Sequence, residues 1–194
     1  MKYLKGLLIL IMMILLSNNI GEAKMGKKIL MIIAFQNFRD EELLIPKKLF
    51  EKEGYQVVIA SSSLKPAKGM LGALVTPQIL IDQVNVDDYD AIVFVGGIGA
   101  QEYFHNPVAH KIAREAVVKG KVLGAICLAP RILAEAGVLK GKKATVWQSE
   151  GKALEEKGAI YTGKPVEIDG KIVTGAGPFA AEEFAKAILN LLKN

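Results

Sequence analysis

From Lys28 onward, short apolar runs rich in β-branched residues alternate with amphipathic stretches of ten to fifteen residues. A chain patterned this way buries its strands on both faces, because each crossover helix covers one side of a parallel sheet. The pattern predicts an α/β fold with a mostly parallel sheet and helices on both faces. Strands are expected at Lys28 to Phe35, Gln56 to Ser61, Asp90 to Val95 and Lys121 to Ile126. Helices are expected at Asp40 to Glu53, where Pro46 forces a late start or a kink, and at Pro107 to Lys119, Pro130 to Glu135 and Phe179 to Leu192. Gly69 to Leu80 reads as short strands and turns, and Val166 to Thr174 as a hairpin about Asp169-Gly170.

Composition narrows the functional classes. With 51% hydrophobic and 23% charged residues in 194, the chain is an ordinary globular one. The single Cys127 cannot form an internal disulfide, and one cysteine with two histidines offers no metal-ligand spacing, so no metal is expected. Of the net charge of +5, residues 1–24 carry +2 (Lys2, Lys5 and Lys24 against Glu22), leaving +3 interleaved with acidic residues. No basic stripe for nucleic acid results.

Residues 1–24 have the plan of a secretory signal: Lys2 and Lys5, an unbroken apolar run from Leu7 to Leu16, and small residues at Gly21 and Ala23. The run is short for a membrane span. The segment therefore implies export or tethering through residues 1–24, with a folded domain over 25–194. The competing reading is a cytoplasmic protein that starts at Met25.

Three loops at the expected C-terminal sheet edge could carry chemistry. Gly124-Ala125-Ile126-Cys127-Leu128-Ala129-Pro130 joins a strand to a helix at a sharp turn with Cys127 at its apex. A helix N-terminus there predicts a thiol pKa below the free value. The alternative is that Cys127 is a small buried apolar residue, and position alone leaves both open. Gly96-Gly97-Ile98-Gly99-Ala100 follows another strand and could present backbone N–H groups to an anion. Asp40-Glu41-Glu42 lies at a helix start, where acidic residues are favourable anyway. A carboxyl group beside a thiolate must be protonated to be tolerated, so such a role predicts a raised pKa for Glu42.

The strand ending in Gly-Gly-Ile-Gly-Ala-Gln, the Ala-Ile-Cys-Leu-Ala-Pro elbow, residues 136–145 and the Gly-Lys-Ile-Val-Thr-Gly-Ala-Gly-Pro of 170–178 resemble the DJ-1/PfpI family from about residue 27 to the C-terminus. The resemblance implies a flavodoxin-like sandwich and a homodimer. It places Cys127 on the nucleophile and Glu42 on its carboxyl partner, with the N–H groups of Gly97 and Leu128 on the oxyanion hole. Gly96, Trp147 and His105 are candidates for the substrate pocket. The implied activities need no cofactor: a glyoxalase or deglycase acting on small or protein-bound carbonyls, a cysteine peptidase or other hydrolase, or a protective, stress-related oxidation sensor. Three positions depart from the family. Leu128 replaces the histidine of the peptidase-like branch, which weighs against a peptidase. Trp147 stands where many relatives have His or Tyr, and Ala176 where they often have Arg. His105 is then the nearest remaining base, while His110 reads as structural.

Overall fold

The computed structural model of the protein describes residues 27–193, so the expectations for residues 1–24 lie outside them. Strand β1 (Lys28–Ile32) leads through the short β2 (Gln36–Phe38) into helix α1 (Asp40–Lys52), and then come β3 (Gln56–Ser61), β4 (Ala67–Gly69), β5 (Leu74–Val75) and β6 (Ile79–Leu80). The central part continues with β7 (Ala91–Phe94), α2 (Pro107–Val118), β8 (Val122–Ile126) and α3 (Pro130–Glu135). After β9 (Lys143–Ala144), α4 (Gly151–Glu156) and β10 (Ile160–Tyr161), the hairpin β11 (Val166–Asp169) and β12 (Ile172–Gly175) precedes α5 (Ala181–Lys193).

Seven strands form one sheet in the order β11-β12-β8-β7-β1-β3-β6. All its pairs are parallel except β11 with β12. The period of two in each strand divides the core. Leu30, Ile32, Ile92, Phe94 and Leu123 face α2 and α3, joining Ile112 and Ile132. Ile29, Met31, Val93 and Val173 face the other way, toward Leu43 and Phe50 of α1 and Phe184 and Ile188 of α5. The sheet is covered by helices on both faces, as its pattern predicts.

Helix α1 begins at the expected Asp40, so of the two effects allowed for Pro46 the late start is absent. The proline removes the N–H that would bond the carbonyl of Glu42, four residues earlier. One limit needs correction: strand β1 ends at Ile32, short of the expected Phe35, and Gln36–Phe38 pairs with β4 in a separate three-stranded sheet. Buried Asp40 organises that small sheet: its carboxylate oxygens accept the N–H groups of Leu71 and Ala73, both at 2.8 Å.

The sheet order explains why three distant loops meet. From β1 the chain steps to β3 on one side and returns through β7 to β8 on the other, so the order reverses between β1 and β7. Loops leaving the C-terminal ends of adjacent strands at such a reversal form a crevice. The segments that follow β1, β7 and β8 are those holding Glu42, Gly96-Gly97 and Cys127. Among the described residues no helix is long and apolar enough to cross a membrane.

Candidate active site

Cys127 occupies the apex between β8 and α3 with φ of +61°, a left-handed conformation that is costly for a residue with a Cβ. Three backbone bonds hold it there. Its N–H donates to Gly175 O (2.8 Å), its carbonyl accepts from Trp147 N–H (2.9 Å), and Ala129 N–H donates to Ile126 O (3.0 Å). The sulfur faces the backbone N–H groups of Gly97 and Leu128 and the side chain of Glu42. The residue is 8% exposed, and that remnant opens onto a cavity of about 410 Å³.

Glu42 enters from the first turn of α1 and is fully buried. Its Oε2 accepts the Gly96 N–H at 3.1 Å. Among the described residues its Oε1 has no hydrogen-bond partner, and the carboxyl as a whole interacts with the Cys127 thiol. Gly96 permits this approach. A Cβ there would lie 2.5 Å from Glu42 Oε2, 2.5 Å from Ile126 O and 2.6 Å from Cys127 Cβ. Gly97 is required for a different reason. With φ of +91° it turns the loop back, and a Cβ would strike the Arg39 backbone nitrogen at 2.4 Å.

The electrostatics follow from burial. Loss of hydration pushes the Glu42 carboxyl up to about 8, against the opposing pulls of the Cys127 thiol, the Gly96 N–H and the Arg39 charge. That agrees with a carboxyl protonated at neutral pH. The thiol behaves differently from expectation. Burial first, and then the charge of Glu42, push Cys127 up to about 12, although the Gly97 and Leu128 N–H groups favour the thiolate. While Glu42 is charged, the lowering predicted from a helix N-terminus does not appear, because α3 spans only six residues and desolvation outweighs two N–H groups.

Not every expected pocket residue lines the cavity. Leu128, Gly97 and Trp147 do; Gly96 instead lies behind Cys127, packed between it and Glu42. His105 is exposed and outside the lining, so it offers no base there. His110 donates from Nε2 to Phe104 O at 2.7 Å, a structural role. Sequence reasoning missed Arg39, Met70 and the Ser149-Glu150 wall. Glu150 is fixed by Arg131 at 2.7 Å, and Arg131 also binds Glu135 at 2.9 Å, so the helix after the elbow braces the opposite wall. Trp147 also lines a second, larger cleft with Tyr161, Ala176 and Phe179. Among the described residues no group of three or more His, Cys, Asp or Glu side chains could hold a metal ion.

Comparison with known proteins gives this geometry a lineage. A family model described as the DJ-1/PfpI family matches residues 27–191. An uncharacterised protein of Methanocaldococcus jannaschii is 43% identical over 181 residues, 91% of this chain and 88% of that protein. Deglycase PfpI of Pyrococcus furiosus is 34% identical, over 84% of this chain and 99% of that protein. Other relatives carry the names glutathione-independent glyoxalase (Caenorhabditis elegans, 28% identical) and putative cysteine protease (Bacillus subtilis, 34% identical). The crystal structure of a ThiJ/PfpI domain protein from Brachyspira murdochii superimposes with a TM-score of 0.84 at 30% identity, covering 87% of this chain and 98% of that one. With its mostly parallel sheet of flavodoxin-like order and its cysteine elbow at the switch point, the chain belongs to the DJ-1/PfpI family.

Proposed function

We propose that the protein is a cofactor-free, Cys127-dependent enzyme acting on small reactive carbonyls, of which 2-oxoaldehydes are the simplest. The observation that carries the reading is the elbow at the cavity wall, where the sulfur meets two backbone N–H donors and is backed by the fully buried Glu42 carboxyl, held protonated by burial. Leu128 and the outlying His105 weigh against a peptidase, which needs a base beside the thiol.

Cys127 and Glu42 interact directly, so their protons leave as those of a pair and not of two separate groups. Burial raises both groups, Glu42 to about 8 and, with Glu42 charged, Cys127 to about 12. In the singly ionised pair the negative charge is better placed on sulfur, which has two N–H donors against one for Glu42. Glu42 then keeps the shared proton and donates it to the thiolate. The reactive form grows as pH rises through the first ionisation of the pair.

The thiolate adds to the aldehyde carbon of R–CO–CHO, forming the S–C bond, and the developing oxyanion takes its proton from Glu42. The Glu42 carboxylate so formed removes the C1 proton and returns it to C2 through an enediol. The result is R–CH(OH)–CO–S–Cys127, an internal redox change that needs no external oxidant or reductant. Water cleaves this thioester, releasing a 2-hydroxy acid and the thiol. The same donors face any oxygen added to sulfur, so the oxidation-sensing alternative would use the same residues.

The test is proton NMR of methylglyoxal with the protein, a chelator and no glutathione. Lactate accumulating catalytically, many equivalents per protein, is the expected result. Stoichiometric loss of thiol without lactate would refute turnover and favour the sensor.

A further inference from the structure

We propose that Arg39 is a carboxylate-binding residue of the Cys127 cavity, and that the carbonyl compounds taken there carry a carboxylate. This deepens the proposed function and rests on it only for the word carbonyl. The anion site itself stands on geometry.

Arg39 caps the N-terminus of α1, and its backbone is locked to the glycine loop: its N–H donates to Gly96 O at 3.0 Å. The residue is thereby tied to the same loop that presents Gly97 N–H to the sulfur. Its guanidinium is held side-on by Glu41, with Nε to Oε2 at 2.8 Å and Nη2 to Oε1 at 3.0 Å. A guanidinium has a second, end-on edge suited to a carboxylate. Among the described residues Nη1 on that edge has no hydrogen-bond partner.

The surroundings leave Arg39 in charge of the cavity's potential. Of the residues lining it, Arg39 is the one cation. The one lining anion, Glu150, is already bonded to Arg131. Met70, Ile98, Trp147 and Pro178 are apolar, while Gln101 and Ser149 are neutral. Glu41 neutralises part of the Arg39 charge, but it is 34% exposed and turned to the side-on edge, away from the lining. A small anion that enters this largely apolar space therefore meets one positive fork in the cavity that the sulfur also lines, held by Glu41 and so costing little ordering.

The probes are iodoacetate and iodoacetamide, whose methylene carbon the thiolate attacks with loss of iodide. They differ in carrying a carboxylate or a neutral amide. Both consume the same thiolate, so the ratio of their rates at Cys127 cancels any change in thiol ionisation. Arg39→Gln is expected to lower the iodoacetate-to-iodoacetamide ratio about fivefold, the upper range for a partly exposed charge pair. Arg39→Lys should retain part of it, Glu41→Gln should raise it, and added salt should lower it in the native protein.

An unchanged ratio in Arg39→Gln would overturn the proposal and leave Arg39 as the partner of Glu41 alone. The iodoacetamide rate reports whether the variant keeps its site. Turnover of methylglyoxal with an unchanged ratio removes the carboxylate site but not the enzyme. A lowered ratio without turnover of either methylglyoxal or a carboxylate-bearing 2-oxoaldehyde such as 4,5-dioxopentanoate keeps the anion site and removes the carbonyl chemistry.

Discussion

Cys127→Ser is expected to reduce carbonyl turnover by at least about 10³-fold while leaving the fold intact, in line with the loss of a nucleophile elsewhere. Serine has nearly the volume of cysteine and inherits the same backbone bonds to Gly175 and Trp147. It also inherits the positive φ of residue 127, so the backbone strain is common to both proteins. What changes is ionisation. A buried hydroxyl beside Glu42 cannot reach the anionic form that two N–H donors are able to support for sulfur. Lactate formation followed by NMR, with circular dichroism and a denaturant midpoint as controls, checks both halves. A serine variant with a tenth or more of native activity would remove Cys127 from the chemistry.

A second large effect is expected at a residue that touches no substrate. Gly96→Ala should destabilise the protein by about 3 kcal/mol or more, the upper range for forcing a methyl group into a packed interior. The new Cβ would meet Ile126 O and Glu42 Oε2 at 2.5 Å and Cys127 Cβ at 2.6 Å. Two of these atoms belong to the elbow backbone or its first side-chain carbon, and neither can rotate away. Trimming Glu42 should therefore give little relief. The double variant Glu42→Ala with Gly96→Ala is expected to remain destabilised relative to Glu42→Ala by most of the Gly96 cost. Urea denaturation of the four proteins closes the cycle. Full rescue in the double variant would mean that Glu42 alone demands the glycine.

Local pattern made much of this molecule legible. β7, β8, α2, α3 and the β11–β12 hairpin fall within a residue or two of their expected limits. The elbow, the double glycine and the acidic helix start were each visible as strand-end features, and the sheet order brings them together. Glu42 was singled out from its two acidic neighbours by family resemblance, and the residues alone do not make that choice. In the structure Asp40 ties down a hairpin, Glu41 pairs with Arg39, and Glu42 is buried against Cys127.

What sequence reasoning missed depends on contacts between distant positions. Asp40 bonds a backbone N–H 31 residues away, and Glu42 one 54 residues away. Neither pairing leaves a periodic trace. Arg39 carries no motif of its own, and its place in the cavity depends on a hydrogen bond to Gly96 across the crevice. The titration of the thiol is out of reach of the sequence for a related reason. A helix N-terminus is readable there, but the depth of burial and the buried carboxyl that oppose its effect are not. His105 is near the glycine loop in sequence, yet the turn after residues 98–103 leaves it exposed.

The central claim is that Cys127 and Glu42 ionise as one pair in which Glu42 keeps the last proton. Its most direct test is the pH dependence of Cys127 alkylation by iodoacetamide in the native protein, Glu42→Gln and Glu42→Leu. The sign follows from who holds the proton. If Glu42 retains it, the thiolate appears with the first ionisation of the pair, well below the value of about 12 that the thiol has beside a charged Glu42. Glu42→Gln, whose amide can still donate, should stay close to that midpoint. Glu42→Leu leaves a buried thiolate without its side-chain donor, and its midpoint should move upward. A native midpoint near 12 would contradict the account, since it would mean that Glu42 ionises first and keeps the thiol protonated. Identical midpoints in all three proteins would contradict it as well, because the two groups would then titrate independently.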